Sequence, residues 1–230
     1  MLTLEGIELE QGDFRLRAGF SVEAGSHVAI IGPSGAGKST LLSALAGFLN
    51  PAAGRIVCNG TDLTALEPGQ RPLSIIFQDN NLFPHLTAEQ NVGLGLRPSL
   101  RLTNAERDRV AQSLDRVGLA GMGNRKPAAL SGGQQSRVAL ARVLLRDKPL
   151  MLLDEPFAAL GPGLKAEMLD LVAEIARERG ATVLMVTHDP KDAERLARQT
   201  ILVAEGVAHA PQDTADLLAN PPDSLRNYLN

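Results

Sequence analysis

A chain of 230 residues lies at the upper end for one compact domain, and a composition 44% apolar and 21% charged excludes a disordered chain and fits an ordinary globular one. A net charge of -3 and a pI near 5.8 supply no basic field for nucleic acid or anionic lipid, so no nucleic-acid partner is expected. Residues Met1 to Glu5 are not a basic segment leading into an apolar stretch, and no apolar run approaches the roughly 18 residues of a membrane helix; the expectation is a cytosolic chain that meets a membrane only through a protein partner.

Apolar and alternating runs at Leu2 to Leu9, Phe14 to Val22 and His27 to Ile31 predict three strands. Directly after the third come Gly32, Pro33, Ser34, Gly35, Ala36, Gly37, Lys38 and Ser39, followed by Thr40 and a helix over Lys38 to Ala46. Glycine, four residues, then Gly-Lys-Ser between a strand and a helix is a phosphate-binding loop. A polyphosphate needs many donors close to its oxygens. Glycines let backbone N–H groups approach where a Cβ would obstruct, and the helix N-terminus adds a favourable dipole. Lys38 is expected on the β and γ phosphates, and Ser39 offers a hydroxyl to magnesium, a hard cation that takes oxygen ligands. The alternative is a glycine-rich turn with a solvated lysine.

Arg55 to Cys58 and Leu73 to Phe77 read as strands, with the lone Cys58 as a buried, inert thiol. From about residue 82 to 145 the pattern shows helices and no convincing strand, which predicts a helical insertion within a single domain over 1–230. Its middle helix, Asn104 to Val117, has Thr103 and Glu106 at capping-box spacing and Val110, Leu114 and Val117 along one stripe. A further helix runs from Gln134 to Leu145.

Leu150 to Leu153 is a strand apolar on both faces, as in a parallel sheet covered by helices. Asp154 and Glu155 stand at its carboxyl end, where open α/β sheets collect ligands. Asp154 is placed to hold magnesium directly or through its shell, and Glu155 to polarise a water attacking the γ phosphate; a solvated turn is the competing reading. A helix at Leu164 to Arg179, a strand at Thr182 to Thr187, a helix at Lys191 to Ala197 and a strand at Thr200 to Ala204 complete an alternation that predicts an α/β fold.

Leu130, Ser131, Gly132, Gly133 and Gln134, continued by Arg137-Val138-Ala139-Leu140-Ala141-Arg142, resemble the signature of ATP-binding cassette proteins. Ser131 and Gln134 also have capping-box spacing, and helix capping alone is the plainer role. The resemblance implies a P-loop NTPase (RecA-like) core with an N-terminal antiparallel β subdomain and an inserted α-helical subdomain. It further implies ATP and Mg2+ as bound species, and a homodimer in which Ser131 and Gly133 reach the γ phosphate held by the other copy. Gln78 resembles the glutamine that senses magnesium and the attacking water, and His188 the histidine that contacts the γ phosphate. Phe14 is the candidate to stack on adenine and equally a strand core residue. Two positions depart from the family: Gly161 stands where an interface aspartate is usual, and Ser136 where a long polar side chain is usual.

Among cassette ATPases the chain is similar to those energising bacterial thiamine and thiamine diphosphate import. Gly32 to Gly54, Phe77-Gln78-Asp79-Asn80-Asn81-Leu82-Phe83-Pro84-His85-Leu86-Thr87 and Asn91 to Leu96 carry that likeness. It implies integral membrane permease subunits as partners, an extracytoplasmic solute-binding protein at one remove, and a place at the cytoplasmic face of the inner membrane. Leu82 and Phe83 would touch the permease or pack within the helical insertion. Importers of iron, molybdate, sulfate or polyamines, and a soluble cassette ATPase, are the alternatives.

Overall fold

The computed structural model describes residues 1–79 and 81–229; Asn80, within the segment expected to face a permease, lies outside the described residues. In chain order the elements are β1 (Leu2–Gln11), β2 (Phe14–Val22), β3 (His27–Ile31), α1 (Lys38–Ala46), β4 (Ala53–Cys58), β5 (Thr61–Asp62), β6 (Leu73–Ile76), α2 (Ala88–Gly93), α3 (Asn104–Arg116), α4 (Gly132–Arg146), β7 (Leu150–Asp154), α5 (Pro162–Arg179), β8 (Thr182–Val186), α6 (Pro190–Leu196), β9 (Gln199–Ala204), β10 (Val207–Ala208), β11 (Gln212–Asp213), α7 (Thr214–Ala219) and α8 (Asp223–Leu229).

The strands form one sheet in the order β5-β4-β1-β2-β10-β9-β3-β8-β7-β6, with β11 on β9. β1, β2, β4 and β5 pair antiparallel, whereas β9, β3, β8, β7 and β6 run parallel. The parallel strands are apolar on both faces along most of their length because each face meets a different core. Ala29, Ile31, Met151, Leu153, Val183 and Met185 point to the side holding α5, α6 and the helices of the insertion. Their alternates Val28, Ile30, Leu150, Leu152, Leu184 and Val186 point to α1 and the β1–β2 layer. A strand covered on both sides has no polar face to alternate with. This is a mixed α/β fold with a helical insertion, as expected from the alternation of strands and helices.

Between β6 and β7 lie only helices among the labelled elements, and α2, α3 and α4 pack on one another. Three capping boxes start them, at Thr87 with Gln90, Thr103 with Glu106, and Ser131 with Gln134. α2 was not anticipated, although Thr87-Ala88-Glu89-Gln90 carries the same spacing. Six residues are too short to show a helical period. Arg71 is 1% exposed and donates to the carbonyls of Ala44 (2.7 Å) and Leu45 (2.8 Å) at the end of α1 and of Leu66 (2.9 Å) and Thr64 (3.2 Å). It supplies donors to helix-end carbonyls that have none within the helix and so fixes α1 from its far end. Cys58 is buried, and that burial raises its thiol pKa.

Candidate nucleotide site

Strand register assembles the site. Ile76 pairs with Leu153, Asp154 with Val186, and Ile30 also with Val186. Continuing each strand by one or two residues brings Gln78, Glu155, His188 and Gly32 to the same carboxyl edge, from four adjacent strands. The edge unites residues drawn from positions 32, 78, 155 and 188.

The phosphate loop needs glycine for steric reasons at two positions. A Cβ on Gly32 (φ 149°) would lie 2.0 Å from the Val203 carbonyl oxygen, and one on Gly37 (φ 103°) would lie 2.4 Å from Cζ of Phe14. Ser34 and Gly35 are exposed at the tip, Pro33, Ala36 and Thr40 are half-buried, and Ser39 is exposed at the start of α1. Phe14, half-buried, therefore covers the loop while its ring also packs against the core beside Leu16. Lys38 is 9% exposed, and its ammonium donates to the carbonyls of Gly32 (2.7 Å) and Pro33 (2.8 Å). Burial depresses its pKa, and the carboxylates of Glu155 and Asp154 oppose that shift.

Ser39 Oγ donates to Asp154 Oδ1 at 3.2 Å across the gap between α1 and β7. Asp154 is 8% exposed. Burial raises its pKa, and the Ser39 hydrogen bond and the charge of Lys38 work against burial, while Glu155 adds to it. A hydroxyl and a buried carboxylate side by side are hard oxygen donors that suit magnesium. Among the described residues no group of three or more His, Cys, Asp or Glu side chains could cage a metal.

Glu155 has φ 45°, a left-handed conformation that costs a non-glycine residue about 1–3 kcal/mol. Its N–H donates to Val186 O at 3.1 Å, and its carbonyl accepts from Ala158 at 3.3 Å. The turn lifts its carboxylate off the strand to within 3.2 Å of His188 Nδ1. Gln78 is exposed in the turn after β6, which ends at Ile76, one residue earlier than the expected strand.

Ser131 Oγ accepts from Gln134 N at 3.3 Å while Gln134 Oε1 accepts from Ser131 N at 3.0 Å, so both side chains cap α4. Gly132 lies near Ala159, and Gly133 lies against Leu160 and Leu164. The structure thus sets these four residues beside the loop after Glu155, while the phosphate loop, Asp154, Glu155 and His188 form the cluster at the sheet edge. Ser136, the departure within α4, is buried and donates to Gly132 O at 3.2 Å, bracing the same helix start.

Two exposed aromatics accompany the edge. Phe48, just past α1, is 57% exposed and tilts against Phe77 at 5.5 Å between ring centroids. Phe83 is 48% exposed with its edge to His85, while Leu82 packs into the core of the helical region. The pairing of Phe48 with Phe77 had no signal in the sequence, because 29 residues and three strands separate them.

A family model described as ABC transporter matches residues 17–158. The thiamine import ATP-binding protein ThiQ of Cereibacter sphaeroides is 64% identical over 229 residues, covering 100% of this chain and 99% of that protein. The protein of the same name from Ruegeria sp. is 58% identical with the same coverage. Among solved structures, the dimeric post-hydrolysis state of the ATP-binding cassette MJ0796 bound to ADP and Pi superposes with a TM-score of 0.83 at 30% identity, over 93% of this chain and 99% of that one.

Proposed function

Because the chain belongs to the ABC transporter family, we propose that it is the ATP-hydrolysing subunit of a thiamine importer, acting as two copies that share two nucleotides. The observation that carries the ATPase reading is the pairing of Ser39 with Asp154 and of Glu155 with His188 at one sheet edge. The thiamine reading rests on the full-length likeness to ThiQ proteins.

The loop from Gly32 to Thr40 would wrap the phosphates in backbone donors, with Lys38 exchanging its bonds to the Gly32 and Pro33 carbonyls for β and γ oxygens. Magnesium held by Ser39 and Asp154 would neutralise charge developing between those phosphates. Glu155 accepts a proton from the attacking water and so raises its nucleophilicity, a contribution of about 10²–10⁴-fold. His188 orients that carboxylate and donates toward the transferred group, and Gln78 orients the water from the neighbouring strand. Phe14 offers its ring to adenine beside the loop.

In this reading Ser131, Gly132, Gly133 and Gln134, which lie beside the loop after Glu155, play their part across a dimer. The N-terminus of α4 is a 15-residue helix dipole with backbone donors for the γ phosphate of the opposite copy. ATP then contacts both copies only when they are closed, which stabilises that state selectively, and hydrolysis releases it. No helix among the described residues is long and apolar enough to cross a membrane. Coupling to transport therefore runs through integral permease subunits at the cytoplasmic face of the inner membrane, docked near Phe48, Phe77 and Phe83, with a solute-binding protein outside. The chain works as one cassette over 1–230, with its helical portion at about 82–145.

Reconstitution of the chain with its permease in vesicles tests the proposal. Thiamine uptake that requires Mg-ATP and is lost in Lys38→Ala is expected. Uptake of another solute alone would reject the substrate, and absence of any ATPase activity would reject the enzyme.

A further inference from the structure

Lys165 has no part in the site described above, yet it closes a network around it. Its side chain is 15% exposed and leaves the first turn of α5, and its ammonium lies 2.9 Å from Asp189 Oδ2 and 2.8 Å from Asp192 Oδ2. Both carboxylates belong to the segment that follows His188. Asp192 Oδ2 also accepts from Thr187 Oγ1 at 2.9 Å, and Thr187 Oγ1 accepts from the Asp189 N–H at 3.1 Å. Asp189 Oδ1 accepts from Lys191 N at 3.0 Å, capping α6, and Thr187 N donates to Ile30 O at 3.2 Å on the strand that leads into the phosphate loop.

His188 is therefore an exposed residue whose two chain neighbours are both pinned, and the pins converge on one ammonium. Lys165 has a second attachment: its N–H donates to Gly161 O at 3.0 Å, and the adjacent Leu164 lies against Gly133. Exposed ion pairs contribute little. A mostly buried lysine shared by two carboxylates that are themselves 34% and 11% exposed is different, because removing it leaves two negative charges facing each other with little water.

We propose that Lys165 is a positioning residue for hydrolysis, holding the turn 187–192 so that the His188 imidazole stays within hydrogen-bonding distance of Glu155. The inference rests on the ATPase reading of the Glu155–His188 pair. It gives the start of α5, which packs on the α4 N-terminus, a rigid connection to the group beside the reacting phosphate.

The test combines steady-state kinetics of Lys165→Met and Lys165→Arg with carbon-proton correlation spectra of the four histidine rings. In Lys165→Met, kcat should fall about tenfold with the KM for ATP within twofold of the parent, and only the His188 signal should move. Lys165→Arg should recover most of kcat and return that signal toward its parent position. Should Lys165→Met fail to fold, Asp192→Asn breaks the same tie from the other end and should show the same pattern. A kcat within twofold of the parent with an unmoved His188 signal overturns the proposal, as does a general change in all four histidine signals. A parent protein without ATPase activity would instead reject the enzymatic reading, while the His188 signal still reports whether Lys165 holds the turn.

Discussion

Glu155 and His188 face each other at 3.2 Å, 33 positions apart in the chain, because β7 and β8 are paired in register up to Asp154 and Val186. The contact is a product of the sheet, and it joins a residue held in a left-handed conformation to one held by its neighbours. His188→Ala should therefore lower kcat by about 10²-fold, the lower range for loss of a positioned acid–base partner, with the KM for ATP changed by less than about threefold, a binding difference near 0.7 kcal/mol. Steady-state assay with saturating magnesium measures both, and an unchanged kcat would remove His188 from the site.

The phosphate loop makes a contrast between two of its glycines. Gly32→Ala forces a Cβ onto the Val203 carbonyl oxygen and should cost about 2 kcal/mol or more. Gly35→Ala meets nothing within 4 Å and carries only the left-handed penalty at φ 76°, about 1 kcal/mol. Denaturant midpoints of the two variants should fall in that order; the reverse order would contradict the described loop.

Glu106 gives a pH dependence with a defined sign. Its backbone hydrogen bond from Thr103 and its bond from Arg97 lower its pKa from 4.5 to about 2. A depressed carboxylate contributes stability that is fully present above the unfolded value of 4.5 and is lost as pH falls toward 2. The parent should have a higher melting temperature than Glu106→Gln at neutral pH, and the gap should narrow as pH drops below 4.5. A gap that widens on acidification would contradict the capping role.

Gly161 caps α5 with an ordinary extended backbone (φ -67°, ψ 156°) and makes no side-chain cap. A Cβ there meets nothing within 4 Å. Gly161→Asp should therefore stabilise the fold by a few tenths of a kcal/mol, up to about 1, by supplying a cap and a negative charge at a helix N-terminus. Thermal unfolding measures it, and a lowered midpoint would show that the loop cannot accept a carboxylate.

The parts of this molecule that were readable beforehand are those in which one stretch of chain carries the whole signal. Gly32 to Ser39 carries the whole phosphate-loop pattern in eight residues, Leu150 to Glu155 is a buried strand ending in two acids, and the capping boxes at Thr103 and Ser131 lie within four residues. The long helices and parallel strands follow from periodicity, with their ends moved by a residue or two. What was not readable depends on distant partners. Arg71 sits in an unremarkable Pro-rich turn and takes its role from carbonyls 26 and 27 positions away. Lys165 reads as one more charge on an amphipathic helix until α6 is packed beside it. β10 and β11 have two residues each, and α7 six, which leaves no period to detect.

The proposed function has Ser131 of a second copy complete each site, so the most direct measurement is the mass of Glu155→Gln protein in solution, by light scattering during size-exclusion chromatography. With saturating Mg-ATP the account predicts a species of twice the 24.4 kDa chain mass, which returns to the single-chain mass when nucleotide is withdrawn. A single-chain mass with Mg-ATP bound would contradict it.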